Sequence, residues 1–130
     1  MRAVDTNVIV RLFARDDAGQ VTAARQALAS DSIFVPKTVV MEFEWVLRGV
    51  YGEPRAAIVA AIETIMATAN VEVEDRAAVE RALGWFRRGM DFADALHLAS
   101  SGQVDTFVSF DVAMRRRAAA LGVRPPVAAP

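Results

Sequence analysis

Short β-type apolar runs alternate with helix-length segments along the whole chain, and that alternation admits few folds. Residues 2–4 read as a strand and residues 7–15 as a helix, and a second helix over about 18–29 can be capped by Asp16 or Asp17. Residues 32–35 form the next strand. Pro36 turns the chain into a helix over about 38–51 that ends at Gly52, and Pro54 opens another to about residue 68. Residues 70–74 alternate as a strand, Asp75 opens a helix to residue 88, and Gly89 closes it. The last elements are a helix over 91–101, a strand over 106–110, a helix over 112–121 ended by Gly122, and a short strand around Val123. Strands separated by helices imply an α/β fold with a mostly parallel sheet.

A length of 130 residues fits one domain, expected to span 1–130, with no linker or repeat dividing it. The chain is 54% apolar and 24% charged, which excludes a disordered polymer. No apolar stretch reaches the ~18 residues that span a bilayer. Met1-Arg2-Ala3-Val4-Asp5 lacks the apolar core of a signal peptide, so the expected location is the cytoplasm, away from membranes. Zero cysteines exclude disulfides, thiolate nucleophiles and zinc–cysteine sites, and the single His97 excludes a multi-histidine metal site.

Four acids interrupt apolar surroundings. Asp5 follows Ala3-Val4, Glu42 lies between Met41 and Phe43, Asp94 follows Phe92-Ala93, and Asp111 follows Phe107-Val108-Ser109-Phe110. An acid buried among apolar residues is costly unless a positive charge compensates it, and a divalent cation is the natural candidate. All-oxygen donors fit Mg²⁺ or Mn²⁺ rather than zinc, and such ions serve phosphodiester hydrolysis in RNA or DNA. Asp5 and Asp111 also fall at the carboxyl ends of strands, where sites form in open parallel sheets.

Helical spacing separates the neighbouring acids. Glu42 shares its side with Val39, Trp45 and Val46, so it is the one expected to point into the fold. Glu44 shares its side with Lys37 and Arg48 and is expected as a solvent ion pair. Asp91 and Asp94 lie on one helix face, Asp91 also being a natural N-cap, and Thr6 or Asn7 can cap the first helix while steadying Asp5. Ser109 shares a strand face with Asp111 if the strand continues that far. Net charge is only −1, but no acid follows Asp111, whereas Arg115, Arg116, Arg117 and Arg124 do. That distribution describes either a solvated helix surface or a basic rim for a polyanion.

Other chemistries fit less well. A phosphoacceptor receiver wants paired acids after its first strand and a late lysine, but Asp5 precedes Thr6 and Lys37 is the only lysine. An aspartate-based phosphatase commonly carries a second Asp where this chain has Asn7. A triad of Asp94, His97 and Ser100 would come from one helix without a Gly-x-Ser-x-Gly elbow. Neither G-x-G-x-x-G nor a Walker sequence is present. A non-catalytic module whose acids grip a basic partner is the alternative outside enzymes.

Taken in order, Val4-Asp5-Thr6-Asn7 with Val8-Ile9-Val10-Arg11-Leu12, Pro36 with Glu42 and Trp45-Val46-Leu47, Asp91-Phe92-Ala93-Asp94-Ala95-Leu96-His97, and Ser109-Phe110-Asp111 resemble PIN-domain nucleases over nearly the whole chain. The match is to VapC-type toxins of toxin–antitoxin pairs. The resemblance implies an α/β/α sandwich and a Mg²⁺- or Mn²⁺-dependent endoribonuclease, commonly a homodimer silenced by a cognate antitoxin. It also implies a catalytic and metal-binding quartet of Asp5, Glu42, Asp94 and Asp111, with Asp91 and Ser109 as accessories. PIN-like RNA-processing nucleases outside such pairs share these features.

Overall fold

A computed structural model describes residues 1–14 and 17–130. Arg15 and Asp16, at the expected end of the first helix and start of the next, lie outside them. The chain forms two compact units, Met1–Arg76 and Ala77–Pro130.

In the first unit the order is β1 (Arg2–Ala3), α1 (Thr6–Ala14), α2 (Ala18–Ser30), β2 (Ile33–Val35), α3 (Lys37–Gly49), α4 (Arg55–Ala67) and β3 (Val71–Val73). Its sheet is parallel throughout, with β2 central: Arg2 pairs with Ile33 and Ala3 with Phe34, while Ile33, Phe34 and Val35 pair with Val71, Glu72 and Val73. A central parallel strand has to be apolar, and Ile33 and Val35 are fully buried. Asp17 caps α2, accepting from the Gln20 N–H at 3.0 Å. Pro36 offers α3 no side-chain cap, and the end of β3 supplies one: Glu74 accepts from the Lys37 N–H at 3.0 Å, while Lys37 Nζ pairs with Asp75 at 3.0 Å. Asp75 is a turn residue with φ 49°, so it precedes the following helix without joining it. Asn70 Nδ2 donates to the carbonyls of Leu28 and Asp31, tying the end of α2 to the start of β3.

Helix α5 (Arg76–Arg87) begins at the boundary, and the second unit continues with α6 (Phe92–Ala99), β4 (Phe107–Val108), α7 (Val112–Leu121) and β5 (Val127–Ala128). Phe86 and Phe92 meet edge to face at 5.5 Å between ring centroids, and the Arg81 guanidinium donates to the Ala99 carbonyl at 2.9 Å. Strands β4 and β5 pair in parallel, Phe107 with Val127 and Val108 with Ala128. Helix α7 runs between an Asp111 N-cap and a left-handed Gly122 at φ 64°, as its sequence signals require. The strand expected around Val123 is displaced to residues 127–128. Val123 is instead buried in the helix cap, its N–H bonded to the Ala118 carbonyl at 3.2 Å, so pairing waits until Pro126.

The parallel α/β architecture expected from the sequence is therefore present, with seven helices among the described residues. None of these helices is long and apolar enough to cross a membrane.

Helix α3 reverses one expectation. Its buried face is Val40, Phe43, Glu44 and Leu47, an i, i+3, i+4, i+7 stripe, and the Phe43 ring packs on Phe13 at 5.4 Å. Glu44 therefore lies inside, while Glu42 is exposed and Trp45 largely so. The ion pair to Arg48 forms at the expected spacing, at 2.7 Å, but Glu44 is 2% exposed and the arginine 47%. Arg48 reaches from the exposed side of the helix and donates through Nε and Nη2 to the buried carboxylate.

That asymmetry makes the two partners unequal. Arg48→Met leaves a carboxylate uncompensated in an apolar stripe and should cost about 3 kcal/mol. Glu44→Gln removes one partner of an arginine already half in water and should cost nearer 1 kcal/mol. Urea midpoints at constant slope measure both, and equal losses would contradict the burial argument.

Candidate active site

In the first unit, Asp5 stands two residues beyond the end of β1, and its Oδ1 accepts from the Val8 N–H at 3.3 Å. The aspartate itself caps α1, the role expected of Thr6 or Asn7. Thr6 is buried and Asn7 exposed. Glu42 does not point into the fold, for the reason given by the α3 stripe. Asp5 and Glu42 are thus both exposed rather than interred among apolar residues.

In the second unit three acids stand at the N-termini of two helices. Asp91 adopts φ −57°, ψ 137° and accepts from the Asp94 N–H at 3.1 Å, capping α6. Asp94 sits in the first turn of that helix, half-buried among Phe92, Ala95 and Leu98, which are buried. Asp111 caps α7, its Oδ1 accepting from the Met114 N–H at 3.0 Å. Strand β4 stops at Val108, so Ser109 does not share a strand face with Asp111. Its support is a hydrogen bond: the Asp111 N–H donates to Ser109 Oγ at 3.0 Å. Each cap engages one carboxylate oxygen, Oδ2 of Asp91 and Oδ1 of Asp111, and leaves the other outside the cap.

The charges of the two caps are felt at Asp94. Burial raises its carboxyl above the ordinary value of 3.8, the charges of Asp91 and then Asp111 raise it further, and His97 opposes them. The burial expected of all four acids is found in part at Asp94 alone; Asp111 is exposed like Asp5 and Glu42. Among the described residues no three His, Cys, Asp or Glu side chains form a metal-holding group. The donors suit a hard divalent cation nonetheless, since Asp91, Asp94 and Asp111 offer only carboxylate oxygen and carry mutual repulsion that a cation would relieve.

The arginines are not equivalent. Arg115 Nη1 donates to the Ser109 carbonyl at 2.7 Å, fixing a cation beside the turn that carries Asp111. The Arg117 guanidinium covers Gly89, 3.3 Å from where a Cβ would stand, and Gly89 has φ 104° two residues before Asp91. Arg116 is exposed. Two of the three cations therefore lie at the loops that carry the caps.

The model of the PIN domain matches residues 2–120, so the chain belongs to that family, whose members are generally nucleases. No curated protein matches the chain.

The raised Asp94 carboxyl makes a signed prediction for the metal-free protein. A folded-state value above the unfolded one means the folded form binds the proton more tightly. That stabilisation is complete below the unfolded value and is lost as pH rises through the folded one. Asp94→Asn should therefore melt higher than wild type in EDTA at about pH 8, with the advantage shrinking towards about pH 4. A variant less stable at both ends would contradict the crowding of these acids.

Proposed function

We propose that the protein is a Mg²⁺- or Mn²⁺-dependent endoribonuclease. The observation that carries this reading is the concentration of negative charge at Asp94, beside two capping aspartates in a chain of a nuclease family. When bound, the cation supplies an activated water and neutralises charge developing on the phosphodiester and its leaving oxygen. Asp94 and Asp111 are its protein ligands in this unit, with Asp91 as accessory and Ser109 holding the Asp111 backbone. Resemblance to VapC-type toxins supports assigning Asp5 and Glu42 to the same chemistry. Asp111 is held in place by its cap, so its free oxygen needs little reorganisation.

The same resemblance supports a cellular role as the toxin of a toxin–antitoxin pair, acting as a homodimer in the cytoplasm and silenced by a cognate antitoxin. Induced expression should halt growth, and co-expression of the neighbouring reading frame should relieve it. Sequencing RNA ends after induction would then locate the cut.

Cleavage of RNA by the purified protein should need Mg²⁺ or Mn²⁺ and stop with EDTA. Asp5→Asn, Glu42→Gln, Asp94→Asn and Asp111→Asn should each lower the rate by at least about a hundredfold without unfolding the protein. Full activity in EDTA, or in the Asp94 and Asp111 variants, would overturn the reading.

The basic residues Arg115, Arg116 and Arg117 act in RNA affinity. Neutralising Arg116 and Arg117 should weaken binding and lower the slope of log affinity against log salt by roughly one unit each. An unchanged slope would make them ordinary helix surface.

A further inference from the structure

Phe110 is 84% exposed, the most exposed large apolar side chain of the chain's described residues, and it stands between Ser109 and Asp111. Val108 and Val112 on either side are 56% and 48% exposed. Helix propensity does not call for an aromatic ring here: Asp111 supplies the cap, Val112 begins α7, and the ring adds nothing to a core it does not enter. Its backbone position, in contrast, is tightly held. The Ser109 N–H donates to the Ala128 carbonyl at 3.0 Å, the Ser109 carbonyl accepts from Arg115 at 2.7 Å, and the Asp111 N–H is bonded to Ser109 Oγ. An exposed ring on a fixed turn is pre-organised for a flat partner.

The charge around the turn selects the partner. Arg115 lies against the residue before Phe110, Arg116 and Arg117 follow on the same helix, and no acid occurs after Asp111. An exposed π-face on a held turn, with the Arg115 guanidinium beside it and two more arginines on the same helix, matches single-stranded nucleic acid, in which each unit offers one anion and one stackable face. A purely apolar protein partner would have to desolvate those arginines.

Building on the ribonuclease reading, we propose that Phe110 is a base-stacking platform that seats an unpaired nucleobase of the RNA strand next to the phosphate that a cation at Asp111 would hold. Stacking reads the flat face of the base rather than its hydrogen-bonding edge, so the contact favours unpaired segments and tolerates different bases. Phe110 thereby sets which RNA structures are admitted, while the acids perform the chemistry.

The test measures binding alone, in the Asp94→Asn background, so that it does not depend on cleavage. The probes are a fluorescein-labelled mixed-sequence RNA strand of about 12 nucleotides and an abasic ribose–phosphate strand of equal length and charge, read by anisotropy. With Phe110 present, the intact strand should bind roughly tenfold tighter than the abasic one. Phe110→Ala should bring the two together and Phe110→Trp should keep them apart, with melting temperatures unchanged because the ring is outside the core. Sedimentation of each variant without RNA completes the experiment. An intact-to-abasic ratio unaltered by Phe110→Ala, or no RNA binding by the Phe110 protein, overturns the proposal. Loss of a dimer in Phe110→Ala with the base preference retained also overturns it and makes the ring an interface between copies. If the base preference depends on Phe110 while the wild-type protein cleaves no RNA, stacking stands and the nuclease reading fails.

Discussion

An aspartate at a helix N-cap does two things at once, and the candidate site is built on that coincidence. The helix needs an acceptor for its unpaired N–H groups, and its dipole favours negative charge at that end. Asp91 and Asp111 meet this need for α6 and α7, each with one oxygen. The local requirement of each helix thus fixes a carboxylate in space and leaves a second oxygen available. Where Asp94 joins them, half-buried in the first turn of α6, capping no longer explains the arrangement. A third acid there raises the electrostatic cost without satisfying a donor. The charge added at Asp94 is what the proposed metal-binding role accounts for and helix capping does not.

The cations follow the same geometry. Arg115 and Arg117 come from one helix yet reach different loops, one at Ser109 and the other over Gly89. Gly89 has room for that guanidinium because it lacks a Cβ, and its positive φ suits the turn towards Asp91. Both guanidinia thus lie on the loops that lead into the capping aspartates.

Much of this was legible in the sequence because it rests on local chemistry. Asp111 and Gly122 delimit α7, Asp91 caps α6, and Pro54 precedes α4, all by rules that act within one turn. The failures lie where tertiary packing decides. Val123 looked like a strand residue because it is apolar, but the helix cap buries it and the strand starts after the prolines. Glu44 reads as solvent-facing because it shares a side with Lys37 and Arg48, although Val40, Phe43 and Leu47 mark its face as the apolar one. Reading the stripe before the charge would have found it. The nearness of Asp91 and Asp94 was visible in their spacing. For Asp111 no spacing gives such a reading, because it lies 17 residues beyond Asp94, and in the sequence only the resemblance places it with Asp94. Asp5 and Glu42 stand out in the sequence, like Asp94 and Asp111, as acids among apolar residues, and the first unit shows them as a cap and an exposed helix residue.

The central claim is that Asp94 marks a cluster of carboxylates whose repulsion a divalent cation relieves. Carboxyl-carbon NMR of aspartate-labelled protein, titrated with and without Mg²⁺, observes that charge directly. The account predicts that Asp94 titrates above 3.8 in metal-free protein, and that Mg²⁺ drives it down and shifts the Asp111 resonance with it. An Asp94 carboxyl that titrates at its ordinary value and ignores Mg²⁺ would contradict the account.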